Sequence, residues 1–172
     1  MQGLDRNGRV IYVGTFSKTI FSALRLGCMV VPPDLISLFQ TARVVTDGHS
    51  SLMDQAVLTH FITEGHFGRH VRRMRKLYAE RQRIFLKLAG KYLPGVEFEP
   101  AAAGMHLIGW LPEGTSDIEF SVAAADRGVR LAPLSDYTAN GSTRPGLLFG
   151  YAGFNQRQTT TALKRLQDLK IG

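Results

Sequence analysis

The chain has 172 residues, 44% of them hydrophobic and 20% charged, a balance that supports a packed core and argues against disorder as its ordinary state. It carries no run of about 18 apolar residues, and its first residues lack the basic, apolar and small-residue order of a secretory leader, so a cytoplasmic chain without a membrane partner is expected. One cysteine, Cys28, excludes an internal disulfide; it lies in an apolar run and is expected to be a buried core residue.

In chain order, residues 9–14 combine β-branched and aromatic side chains and end on Gly14, which predicts a short strand feeding a loop. Residues 28–31 form a continuous apolar stretch stopped by Pro32 and Pro33, the pattern of a strand buried on both faces. Pro33 and Asp34 suit the first turn of a helix through Phe39. Asp47-Gly48 marks a turn, after which Ser50 or Ser51 caps a helix that runs to Gly65.

The formal charge is +7, and much of the excess lies in residues 69–83. There Arg69, Arg72, Arg73, Arg75, Lys76, Arg81 and Arg83 are interleaved with Val71, Met74, Leu77, Ile84 and Phe85, which follow helical spacing. That spacing predicts a long amphipathic helix with a basic, solvated face, ending near Gly90 or at Leu93-Pro94. The same charge keeps a nucleic-acid-binding module open as a rival reading.

Two paired strands follow, at residues 96–99 and 105–111. Ser116 with Glu119 forms a capping box that opens a helix ending at Arg127-Gly128. Residues 129–131 and 147–151 predict short strands separated by a turn-rich stretch, and Asn155 caps a last helix carrying Leu163, Leu166 and Leu169. Met105, Trp110 and His106 are expected in the core, with His106 hydrogen-bonded there, and Tyr137 is expected to pack locally. His66 and His70 stand four apart, but no third ligand lies at metal spacing beside them, so no metal is expected. This order of elements belongs to the α/β or α+β class. The opening pair of strands would leave edges bare, which suggests a piece of a larger fold.

The chemistry concentrates in Thr15-Phe16-Ser17-Lys18-Thr19 and Arg25-Leu26-Gly27. A lysine amine condenses with an aldehyde only when neutral, and the hydroxyls of Thr15 and Ser17 with the fork of Arg25 offer charge-assisted hydrogen bonds to a phosphate. On spacing alone the motif is weak, and a solvated Lys18 in a polar loop with Ser17 capping a turn is the better account of it.

These residues closely resemble the Schiff-base lysine motif of class I/II aminotransferases, and most closely the MocR-type regulators, in which a GntR-type winged helix is fused to an aminotransferase-like domain. Val30-Val31-Pro32-Pro33, Gly65-His66, Arg69-His70-Val71-Arg72, Ala103-Gly104-Met105-His106 and Pro133-Leu134-Ser135 continue the resemblance in order along nearly the whole chain. It implies the C-terminal portion of a fold type I aminotransferase, with part of the large pyridoxal 5'-phosphate-binding domain in residues 1–65 and a small α+β domain in residues 66–172. It further implies that Lys18 holds the cofactor as an aldimine and that Thr15, Ser17 and Arg25 contact its phosphate. The partners implied are an amino acid or amine effector, a second subunit in a homodimer, and DNA through a winged helix outside this chain.

Two departures stand beside the matches. The family's pyridine-binding aspartate lies upstream of the lysine strand, and Asp5 is too close to be that residue, so this chain by itself is expected to bind the cofactor weakly. The late strand, where aminotransferases usually place a carboxylate-gripping arginine, reads Gly146-Leu147-Leu148-Phe149-Gly150. Arg130 and Arg144, with Tyr137, are the nearby candidates for substrate binding. That departure favours an effector-sensing regulator over the remaining rival, a segment of a genuine amino acid aminotransferase.

Overall fold

A computed structural model describes residues 2–48, 51–138 and 144–169. The chain divides into two compact units, Met1–Arg72 and Arg73–Gly172. Among the described residues no helix is long and apolar enough to cross a membrane.

In the first unit, β1 (Tyr12–Thr15) pairs antiparallel with β2 (Gly27–Val30), in a register that sets Thr15 opposite Gly27 and Tyr12 opposite Val30. Gly27 is required by this pairing, because a Cβ there would stand 2.8 Å from the Gly14 carbonyl oxygen. Pro32 and Pro33 end the strand and lead through a 3-10 turn into α1 (Ile36–Asp47). The helix α2 (Leu52–Thr63) is capped by Ser51, whose Oγ accepts from the Asp54 amide at 3.3 Å; Ser50, the other expected cap, lies outside the described residues. Gly65, at φ 73°, turns the chain into α3 (His66–Tyr92), where it suits the left-handed backbone that L side chains rarely adopt.

The expectation that Cys28 and its strand are buried is corrected here. Every residue of β2 is exposed, Cys28 included. The apolar run marks a strand suited to burial, but its one ladder partner is β1, and within the described residues no layer covers either face.

The second unit is built on a four-stranded antiparallel sheet, ordered β3 (Glu97–Phe98), β4 (His106–Trp110), β6 (Gly146–Gly150) and β5 (Ala132–Pro133). One face turns Leu107, Leu147 and Phe149 into a core shared with Phe85 and Ala89 of α3, Phe120 and Ala124 of α4 (Asp117–Asp126), and Leu163 and Leu166 of α5 (Gln156–Leu166). Fully burying each large apolar side chain contributes about 1.5–3 kcal/mol. Phe85, Phe98 and Phe149 meet with ring centroids 5.1 to 5.8 Å apart, in tilted and edge-on arrangements.

The N-caps anticipated for α4 and α5 are present, although at α4 only the Ser116 half of the expected capping box forms among the described residues. Ser116 Oγ accepts from the Glu119 amide at 3.2 Å, and Asn155 forms a reciprocal capping box with Gln158. The basic helix extends past Gly90 to Tyr92, with its basic residues largely exposed and Phe85, Ala89 and Tyr92 buried.

Three expectations on this unit change. The strand expected at residues 129–131 forms instead at Ala132–Pro133, since pairing with Leu147 and Leu148 begins only there. His106 is exposed, not a core residue, because the alternation of β4 places it on the face opposite Leu107. Trp110 shares that opposite face and is half-buried, with the Arg144 guanidinium 5.1 Å from its ring centroid.

Candidate functional site

The loop between β1 and β2 carries Lys18, and a small set of backbone bonds fixes it. The Phe16 amide donates to the Leu26 carbonyl at 3.1 Å, extending the ladder into the loop. The Phe16 carbonyl then accepts from the amides of Thr19 and Ile20, at 3.2 and 2.9 Å, and from Thr19 Oγ1 at 3.2 Å. The Ser17 amide donates to Thr15 Oγ1 at 3.2 Å. Thr15, Ser17 and Lys18 are thereby held on one short turn at the end of a strand pair.

Lys18 and Arg25 are exposed and Ser17 is half-buried. Arg25 sits at φ 49° and ψ 27°, the one non-glycine residue at positive φ among those described. A side chain in this region costs about 1–2 kcal/mol against its ordinary backbone, and that cost falls on the residue whose guanidinium suits a phosphate. Two hydroxyls, an amine and a guanidinium gathered on one hairpin loop make a donor set that fits a phosphorylated aldehyde.

The loop is also held from α3 by two residues the sequence did not single out for this role. Phe67 meets Phe16 edge-on at 5.9 Å between centroids, and His70 Nε2 reaches the Thr19 carbonyl. Their spacing from one another on α3 was the available signal. The partner loop lies about fifty positions away in sequence, a distance no local pattern spans. His66 lies between Glu64 and Arg69, with its Nε2 3.1 Å from Glu64 Oε2 and its Nδ1 2.8 Å from Arg69 Nη2.

In the second unit, Arg130 and Tyr137 line one cavity of about 1130 Å³, while Arg144 lines a separate, smaller one of about 350 Å³. Arg144 forms an ion pair with Glu97 beside Trp110. Tyr137 is 67% exposed, so it borders the larger cavity with little local packing. Asp117 is buried at the start of α4, where its carboxylate accepts from Ser135 Oγ at 2.7 Å, from the Ser135 amide at 3.1 Å and from the Gly146 amide at 3.3 Å. Burial pushes its pKa up, but these bonds and one from the Ile118 amide outweigh that and leave it below the usual carboxylate range.

A lysine on a hairpin loop that also carries two hydroxyls and a guanidinium, followed by a small antiparallel sheet backed by helices, has the architecture of part of a fold type I aminotransferase of the pyridoxal-phosphate-dependent class. The comparisons agree. The chain belongs to the aminotransferase class I and II family, whose model matches residues 1–166.

Among solved structures it is similar to the kynurenine aminotransferase of Pyrococcus horikoshii, determined with PMP, at a TM-score of 0.86 and 27% identity, over 97% of this chain and 42% of that one. It is also similar to the α-aminoadipate aminotransferase LysN of Thermus thermophilus, complexed with N-(5'-phosphopyridoxyl)-L-leucine, at a TM-score of 0.81 and 26% identity, over 92% of this chain and 41% of that one. Among curated proteins it is 40% identical to the probable rhizopine catabolism regulatory protein MocR of Rhizobium meliloti, over 98% of this chain and 34% of that protein. It is 35% identical to the HTH-type transcriptional regulator YhdI of Bacillus subtilis, over 97% of this chain and 36% of that protein. The chain thus spans about a third of the length of these two regulators.

Proposed function

We propose that this chain is the lysine-bearing and C-terminal part of an aminotransferase-like domain that binds pyridoxal 5'-phosphate and senses an amino acid or amine effector within a MocR/GntR-type transcriptional regulator. The observation that carries the reading is the strained Arg25 on the same hairpin as Thr15, Ser17 and Lys18, joined to the likeness to MocR. In this reading Lys18 Nζ attaches the cofactor covalently, and the Thr15 and Ser17 hydroxyls and the Arg25 guanidinium hold its phosphate. When bound, the cofactor supplies an electron sink for chemistry at the carbon bearing the effector's amine. Arg130 and Tyr137 are assigned to the effector, since Arg144 already pairs with Glu97. DNA binding belongs to a winged helix elsewhere in the protein, which acts in the cytoplasm as a homodimer.

Borohydride reduction of the full-length protein saturated with pyridoxal 5'-phosphate, followed by peptide mass mapping, tests this. A pyridoxyl adduct on Lys18, lost in Lys18→Ala, is expected; a reduced, saturated protein without that adduct overturns the reading. The likeness to solved aminotransferases favours a second reading, a working transaminase. Amino-group transfer to a keto acid by the full-length protein, at a rate that turns over substrate many times, would establish it in place of the sensor.

A further inference from the structure

The cavity bordered by Arg130 has a composition that the cofactor reading does not explain. One face of α5 lines it with Gln158, Thr161, Ala162 and Arg165, at the spacings of three, four and seven that stack side chains along a helix. Arg157, in the first turn of α5, and Arg130, on the segment leading to β5, add two more guanidiniums. The half-buried Val129, Leu131 and Leu148 and the exposed Phe154 supply an apolar wall. Among the described residues no aspartate or glutamate lines the cavity, and none of Arg130, Arg157 and Arg165 forms an ion pair with a carboxylate.

Each of these properties has a consequence for what could bind. Three like charges around one concavity, with no acid to offset them, set up a positive potential that concentrates anions. Guanidinium forks match carboxylate geometry through paired, charge-assisted hydrogen bonds. Arg157 and Arg165 are eight residues apart on α5, roughly 12 Å along its axis at 1.5 Å per residue, so a single carboxylate does not bridge them. The apolar wall favours a ligand with a hydrophobic body, and a volume near the upper end of small-molecule sites admits one of ring size or larger.

We propose that this cavity is a binding site for an amphipathic organic carboxylate, an acid group on an apolar or aromatic body, and that it works without the cofactor. It shares Arg130 and Tyr137 with the effector assignment above and adds Arg157 and Arg165, which that assignment does not use. That assignment has an amine react at the cofactor; this site needs no amine.

The test is calorimetric titration of the chain, free of cofactor, with indole-3-propionate and separately with the uncharged indole-3-propionamide. Saturable binding of the acid is expected, weaker by about tenfold or more for the amide, and weaker still as ionic strength rises. Arg130→Gln and Arg157→Gln should each weaken the acid by about tenfold and leave the amide nearly unchanged, with circular dichroism confirming that both variants fold. Equal affinity for acid and amide, or no saturable binding at millimolar probe, overturns the proposal without need of any variant. Folded variants that bind the acid as the parent does overturn it as well. Failure of borohydride to mark Lys18 would sink the cofactor reading and leave this titration untouched, because the probes are measured with no cofactor present.

Discussion

His70 donates from Nε2 to the carbonyl oxygen of Thr19 at 2.9 Å, so the residue after the candidate Schiff-base lysine is tied to the third helix and not only to its own hairpin. The loop's other hydrogen bonds stay within the hairpin, around Phe16 and from its amide across to Leu26. Such local bonds fray together unless something outside the loop holds them. Loss of a hydrogen bond of this kind costs about 1 kcal/mol, roughly a fivefold change in an opening equilibrium. His70→Ala should therefore speed amide exchange across residues 16–20 about fivefold and lower the yield of borohydride adduct at limiting cofactor. His70→Gln, which keeps a donor, should recover much of both. Unchanged exchange in His70→Ala would show that the loop holds itself.

Arg25 separates backbone strain from binding. Its left-handed conformation suits glycine and penalises any side chain with a Cβ by about 1–2 kcal/mol. Arg25→Ala removes the guanidinium and keeps the strain, whereas Arg25→Gly removes both. In urea unfolding the glycine variant should be the more stable of the two by about 1 kcal/mol. In cofactor titrations of the full-length protein the two should be equally impaired, since the phosphate loses the same charged donor. A glycine variant that binds like the parent would remove Arg25 from the phosphate site.

Local chemistry accounts for what could be read from the sequence. Caps at Ser51, Ser116 and Asn155, the proline stop at Pro32-Pro33 and the spacing of the basic helix are decided within a few residues of themselves, and the element order followed from them. What could not be read depends on partners distant in the chain. Cys28 has an apolar neighbourhood in sequence, but among the described residues its strand pairs with β1 alone and leaves it exposed. The short edge strand moved to Ala132–Pro133 because β6 determines where pairing begins. The lysine motif was legible through family resemblance, whereas the arginine-lined cavity joins α5 to a segment near residue 130, and no local period links them.

Gly109 tests how closely the second unit's core is packed. A Cβ at this position would stand 2.7 Å from Phe149, 2.8 Å from Phe98 and 2.8 Å from Val96. Phe98 and Phe149 also pack against Phe85, so neither ring can retreat without disturbing the other contacts of the cluster. Overpacking of this kind costs about 1–3 kcal/mol. Gly109→Ala should lower the stability of the second unit by that amount, with loss of near-ultraviolet aromatic dichroism before loss of helix. Gly153→Ala, where a Cβ meets nothing within 4 Å, is the control and should leave the melting curve unchanged.

Asp117 sets the acid limit of the same unit. Its carboxylate closes the first turn of α4 onto Ser135 and Gly146, and a negative charge at a helix N-terminus is favoured there by the helix dipole. The folded pKa lies below the ordinary value of 3.8, so the unfolded chain takes up a proton first as pH falls. The stability that Asp117 contributes is therefore complete above the unfolded pKa and is lost as pH drops through the lower, folded value. Asp117→Ala should cost about 3 kcal/mol at neutral pH, because the part-buried donors of Ser135 and the buried amide of Gly146 lose a charged acceptor. Asp117→Asn, similar in shape but without the charge, should cost less and should flatten the fall in stability below about pH 4. Urea unfolding of the three proteins between pH 2 and 7 measures both effects. Parallel curves for the parent and the asparagine variant through the acid range would show that another carboxylate governs acid unfolding.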